Sequence, residues 1–288
     1  MPPRRYCGRE LSEADLEVIR GLAATLPTRT AIAAAACEAL GWQGRDGRRK
    51  EMSARVALLR MAADGLLTLP APRNGNGNGR LSRRMEPGPE PPAALAVSLA
   101  ELGGVELVLV DTAAASRRWR TLIATHHYLG YAPFAGAQLR YLVESPRGTV
   151  AALGFAASAW KCAARDEHIG WDARAREARL HLVVGNARFL ILPHVRVKNL
   201  ASVILSRAAR RLRADWLAAY GYAPLLLETF VERGRFSGAS YRAANWLCVG
   251  RTKGRGKLDR RHEQALPVKD VYLYPLQRDY RRLLSAPA

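Results

Sequence analysis

Three windows with apolar residues at helical spacing open the chain. In the first, Leu16, Ile19 and Leu22 or Ala23 share one face, and Ser12 with Asp15 three positions on has the form of a capping box. The second starts at Thr28 or Thr30, runs through an alanine series to Leu40 and stops at Gly41. The third spans 48–64 and is expected to bury Met52, Val56, Leu59 and Ala63, with Arg49, Lys50, Arg55 and Arg60 outward. Beyond Gly65, the apolar run 66–70 reads as one short strand. Three short helices and a strand are the outline of a winged helix, whose third helix enters a DNA major groove. The alternative is a plain helical bundle.

The pattern then breaks. Residues 74–92 begin Asn-Gly-Asn-Gly-Asn-Gly and end Pro-Gly-Pro-Glu-Pro-Pro, a composition that supports no regular structure. The expected organisation is a helical, winged-helix-like head (1–73), a flexible linker (74–95) and a core domain (96–288) with a basic C-terminal segment. Strands and helices alternate in the core, which predicts an α/β (α+β) fold. Strands are expected at 105–111, 138–144, 149–157, 188–197, 225–231, 246–252 and 271–274, and the second and third form a hairpin around Pro146-Arg147-Gly148. Helices are expected at 115–128, 199–220 and 238–244, followed by a short basic helix at the C-terminus. The stretch 165–172 reads as a loop, and 246–252 as a final core strand.

Composition changes this picture in one respect. Lysine and arginine exceed aspartate and glutamate by twenty, for a formal net charge of +20. Such an excess favours polyanions, and nucleic acid is the usual one. Arg251, Lys253, Arg255 and Lys257 lie in a run opposed only by Asp259. The four cysteines are scattered, without zinc or disulfide spacing, and fit a reducing, cytoplasmic setting. No apolar run has the length of a membrane span. P-loop, Rossmann, GxSxG and HExxH motifs are all missing.

Six phrases occur in order: His126-His127-Tyr128-Leu129-Gly130, Ile169-Gly170-Trp171, Arg188-Phe189-Leu190-Ile191-Leu192-Pro193, Asn199-Leu200-Ala201-Ser202, Leu227-Glu228-Thr229-Phe230-Val231 and Tyr241-Arg242-Ala243-Ala244-Asn245-Trp246. Together they resemble the DruA family of the Druantia anti-phage system, whose relatives also accompany transposases. The resemblance implies a DNA-associated role in defence or a mobile element. A second resemblance lies in the order strand, long helix, strand, short helix bearing Tyr241 and strand ending at Gly250. It is similar to the core of GNAT acyltransferases and implies a GNAT-like mixed sheet with acyl-coenzyme A at the turn before the long helix. Here that turn reads Arg196-Val197-Lys198-Asn199-Leu200-Ala201-Ser202, without the glycine that lets backbone approach a pyrophosphate.

Glu228 is the residue whose chemistry stands out, because a carboxylate amid Leu225, Leu226, Leu227, Phe230 and Val231 is desolvated. It is either half of a buried ion pair, or a general base or metal ligand. The further catalytic candidates are Tyr241 as acid or nucleophile, one of His126 and His127, and Asp166. Candidate nucleic-acid contacts are Arg49, Lys50 and Arg55 in the head, Arg196 and Lys198 before the long helix, Asn245 and Trp246, and Arg251, Lys253, Arg255 and Lys257. The cofactor stays open between a divalent metal and an acyl carrier. Three functions follow: an enzyme acting on a DNA strand or base, a non-catalytic DNA-recognition subunit that delivers a helicase or transposase, and a GNAT-like acyltransferase.

Overall fold

The computed structural model describes residues 4–44, 47–72, 93–254 and 266–286. The chain divides into two compact units, Met1–Arg84 and Met85–Ala288. Of the linker expected at 74–95, residues 74–92 lie outside the described residues, as do Arg255 and Lys257, but its last residue, Leu95, forms a β-bridge with Val195.

The first unit opens with a hairpin of β1 (Arg4–Tyr6) and β2 (Arg9–Leu11), turned at Cys7 and Gly8 with φ of 49° and 81°. Three helices follow: α1 (Glu13–Thr25), α2 (Arg29–Ala39) and α3 (Glu51–Ala63). Ser12 and Asp15 cap α1 reciprocally, and Thr28 caps α2. The expected phase of α3 is wrong. Met52, Val56 and Leu59 are 69%, 39% and 49% exposed, whereas Ala54, Ala57, Leu58 and Met61 are buried. Both stripes have helical spacing. The one chosen turns two alanines toward the alanine-rich α2, so the helices can approach closely. The 66–70 segment is not a strand either. Among the described residues no strand pairs with it, and two of its carbonyls are taken by side chains: Leu66 by Arg20 Nε at 2.9 Å and Pro70 by Arg29 Nε at 2.7 Å.

The second unit is a mixed sheet of seven strands in the order β3-β4-β5-β6-β7-β9-β8. The chain runs β3 (Glu106–Leu109), α4 (Ala113–His126), β4 (Gln138–Ser145), β5 (Gly148–Ala157), α5 (Ala163–Ile169), α6 (Ala173–Arg179), β6 (Val183–Ile191), α7 (Leu200–Tyr220), β7 (Leu226–Glu232), α8 (Ala239–Ala243), β8 (Leu247–Arg251), β9 (Lys269–Pro275) and α9 (Tyr280–Ser285). The stretch expected as a loop near Asp166 is two short helices. Gly170, at φ 78°, ends the first, and Asp172 caps the second by accepting from the Ala175 N–H at 2.7 Å. β8 is an edge strand with Leu247 and Cys248 exposed, not a core strand. β6 begins at Val183, five residues earlier than expected.

Strand alternation sorts the helices onto faces. Tyr141 of β4 donates to Asp215 of α7 at 2.9 Å, and its neighbour Arg140 donates to Ser116 of α4 at 3.0 Å. Helices α7 and α4 therefore cover opposite faces. Leu226, Val271 and Leu273 pack with residues of α5, α6 and α9 in a separate cluster. Among the described strands only β6 and β7 run parallel, and they pair for three positions, Val183↔Leu226 to Gly185↔Glu228. Both strands then continue apart.

Candidate functional site

The parting of β6 from β7 opens a cavity of about 440 Å³. Its walls come from the halves of the two strands that no longer pair with each other (Asn186, Ala187, Phe189 to Ile191, and Thr229 to Val231), from Ala201 at the start of α7, from His126 and His127 at the end of α4, and from Phe236 to Tyr241. A bulge shapes one wall. Gly154 pairs with Arg188 but Phe155 with Asn186, so Ala187 is an extra residue in β6. The Asn186 amide pins the bulge by donating to the carbonyls of Gly154 (3.3 Å) and Arg188 (3.1 Å).

Tyr241 stands in the opposite wall. Its hydroxyl donates to Asn186 Oδ1 at 2.8 Å, and the Thr229 hydroxyl lies 3.5 Å away while bonding the Asn186 carbonyl at 3.1 Å. Burial raises the phenol's pKa, so it stays protonated. The ring is held by Tyr272 (5.8 Å, stacked), Trp246 (5.1 Å) and Phe189 (6.2 Å). The short helix that carries it starts at Gly238, whose φ of 72° suits glycine and whose Cβ position would fall inside the Tyr272 hydroxyl.

His127 is half-buried, and burial with the nearby Arg188 charge lowers its pKa to about 4. The Leu129 N–H donates to its Nδ1 at 3.2 Å, so the neutral ring carries its proton on Nε2 and is a donor. His126 is exposed at the same rim. Tyr128 stacks on His127 at 4.9 Å, and Arg235 lies 4.9 Å over Tyr128.

Three sequence-derived candidates, His126, His127 and Tyr241, thus meet at one cavity. Glu228 and Asp166 do not line it. Glu228 points to the other face, is fully buried, and accepts from the Ala159 N–H at 2.7 Å and from Arg165 Nη1 at 2.8 Å. Burial pushes its carboxyl up, against the pull of Arg165. Arg165 is also fully buried and donates through Nε to Asp166 at 2.9 Å, and Asp166 accepts from Trp171 Nε1 at 3.0 Å. With Arg176 3.7 Å from Asp166, this is a charge-balanced knot under the sheet. Among the described residues, no group of three or more His, Cys, Asp or Glu side chains is placed to hold a metal ion.

The nucleic-acid candidates are dispersed. Trp246 is buried at 3% exposure and packs on Tyr241 and Tyr274, while Asn245 is exposed with φ 62°. Arg196 and Lys198 are exposed before α7, and Arg251 and Lys253 are exposed at the end of β8. Arg49, Lys50 and Arg55 are exposed in the first unit, where Arg49 meets Glu38 at 3.3 Å. Sequence reasoning missed Asn186 and Thr229. The signal for Asn186 was a lone amide in Val183-Val184-Gly185-Asn186, a run hidden by placing the strand's start at 188.

The chain is similar to several solved structures. A GNAT-family acetyltransferase from Streptococcus pneumoniae shares 13% identity at a TM-score of 0.37, over 60% of this chain and 100% of that one. A polyamine N-acetyltransferase from Drosophila melanogaster shares 13% at 0.36, over 59% and 100%. An N-acyl amino acid synthase from uncultured soil microbes shares 9% at 0.38, over 63% and 94%. No curated protein matches the chain. Residues 64–263, well over half of the sequence, match the family model described as Druantia protein DruA, and the chain belongs to that family.

Proposed function

We propose that this chain is a group-transferring enzyme of anti-phage defence, with the β6–β7 slot as the seat of the donor and nucleic acid as the acceptor. One observation carries the reading: the parallel pair parts after three positions, and the cavity so formed reaches both the start of α7 and Tyr241. Facing strand edges without a strand partner bind an extended, amide-bearing arm as they would an added strand. Acyl transfer from a thiol-ended arm is the chemistry such a slot suits.

The slot fits an arm, but the turn beside it does not fit the diphosphate of coenzyme A. It holds no glycine, its Arg196 N–H is taken by the Leu95 carbonyl at 2.9 Å, and its Leu200 N–H by the Val197 carbonyl at 3.3 Å. No step is therefore assigned to coenzyme A. The chain's own groups have defined duties. The Tyr241 hydroxyl, its proton directed at Asn186, turns lone pairs to the slot; His127 offers an Nε2–H; and Thr229 ties the Asn186 carbonyl. The surrounding positive charge, with Arg196 and Lys198 at the mouth of α7, supports an anionic acceptor.

The test is to incubate the chain with DNA and either an acetyl thioester of coenzyme A or one of N-acetylcysteamine, an arm without diphosphate, and to weigh the DNA. A DNA mass gain from the N-acetylcysteamine donor, lost in Tyr241→Phe, is the expected result. Unchanged DNA with both donors intact, in a protein that still protects against phage as Tyr241→Phe, overturns it.

A second reading, a DNA-recognition subunit that delivers a helicase or transposase, draws on α3. Its outward face mixes Arg55 and Arg60 with the exposed Met52, Val56 and Leu59, a surface suited to protein as well as phosphate contact. Reversal of Arg49, Lys50 and Arg55 to Glu separates the two: loss of duplex binding with donor consumption intact favours a recognition role for the head.

A further inference from the structure

We propose that a second cavity, under α4 and distinct from the slot, binds a nucleotide: a phosphate on Arg140 and Arg120, with its planar base against Tyr131 and Phe134, beside the buried Trp119. The cavity measures about 250 Å³ and is lined by these five residues together with Ser116, Pro133 and Gln138.

Arg140 is the reason to assign it a ligand. It stands mid-strand on β4, half-buried beneath α4, where a core side chain is expected. Its Nη1 donates to Ser116 Oγ at 3.0 Å, and its guanidinium lies 5.5 Å over the Trp119 ring. Among the described residues no carboxylate pairs with it. The neighbouring cation, Arg120, is anchored by its Nε to the Ser116 carbonyl at 3.2 Å and, among the described residues, likewise pairs with no carboxylate. Desolvation and the Arg120 charge both lower the Arg140 pKa. Two like charges held beside a cavity without a counter-ion are unfavourable alone, and an anion offsets that cost. Compare Arg165, buried in the same unit, which is matched by Glu228 and Asp166.

The aromatic walls choose the rest of the ligand. Trp119 is fixed by its Nε1–H to the Leu153 carbonyl at 2.8 Å, Phe134 meets it edge-on at 5.8 Å and Tyr131 at 6.4 Å. The rings sit where Gly154 leaves room: a Cβ there would lie 2.7 Å from Phe134 and 2.9 Å from Trp119. Trp119 itself is buried, and the partly exposed rings of Tyr131 and Phe134 are the ones a planar base can stack on, while paired arginines grip phosphate.

Titration of the full chain with AMP, inorganic phosphate and short single DNA strands bearing either a 5′-phosphate or a 5′-hydroxyl tests the assignment. AMP is expected to bind, and Arg140→Gln and the surface variant Arg120→Gln each to weaken it, by about tenfold for Arg140. Binding of the phosphorylated strand but not the hydroxyl strand identifies a nucleic-acid end as the source; binding of AMP alone identifies a free nucleotide. Inorganic phosphate binding as tightly as AMP, or AMP affinity unchanged in a folded Arg120→Gln, overturns the proposal. Tyr241→Phe is expected to leave AMP binding intact, so failure here and failure of the slot are distinguishable.

Discussion

Glu228 and Thr229 are neighbours on β7 with opposite duties. Alternation sends the carboxylate down to Arg165 and the hydroxyl up to Tyr241. Removing the charge in Glu228→Gln leaves Arg165 short of a buried counter-ion, and the expected loss of stability is about 3 kcal/mol by denaturant unfolding. Activity per folded molecule should survive. That Glu228 is special was legible, since no other carboxylate interrupts so apolar a strand. Which role it has was not, because its partner comes from a helix 63 positions away. His127 supplies a second expectation at this scale. Its pKa is about 4 in the fold and ordinarily 6.5, so between those values the unfolded chain binds more protons. Stability should therefore fall as pH drops from about 6.5 toward 4. His168, whose pKa is also lowered, acts in the same direction. His127→Gln should flatten the slope, measured as melting temperature against pH.

Among the elements, long ones with strong caps were readable and short ones were not. The capping box at Ser12, the β4–β5 hairpin and the 21-residue α7 fall where pattern places them. The three-residue β1 and β2 and the seven-residue α5 and α6 are too short to show a period, and tertiary contacts decide them. The slot depended on such contacts as well: only the register of β6 on β7 shows where the pair parts. Element α8 is positioned by one glycine. Gly238→Ala combines a left-handed backbone with a clash against Tyr272, and should cost about 1–3 kcal/mol while moving Tyr241 off Asn186. Calorimetry with near-ultraviolet circular dichroism would register both effects, and an unperturbed spectrum would count against this account of α8.

At the scale of the whole molecule, net charge and the apolar slot between β6 and β7 point to different partners. The charge of +20 predicts binding to polyanions whose affinity falls with salt. For about five phosphate contacts, log affinity should fall against log salt with a slope of roughly −4 to −5. A flat response in duplex-binding assays would remove nucleic acid from the reading. The slot, by contrast, is lined largely by apolar side chains and a few fixed dipoles, and salt should affect its occupant little.

The most direct test of the central claim, that function resides in the slot and not in the buried carboxylates, compares Tyr241→Phe with Glu228→Gln for phage protection normalised to folded protein. The slot account predicts that Tyr241→Phe keeps its melting temperature within a few degrees and loses protection, while Glu228→Gln melts earlier yet protects in proportion to what remains folded. A well-folded Glu228→Gln without protection, beside a fully protective Tyr241→Phe, would contradict it.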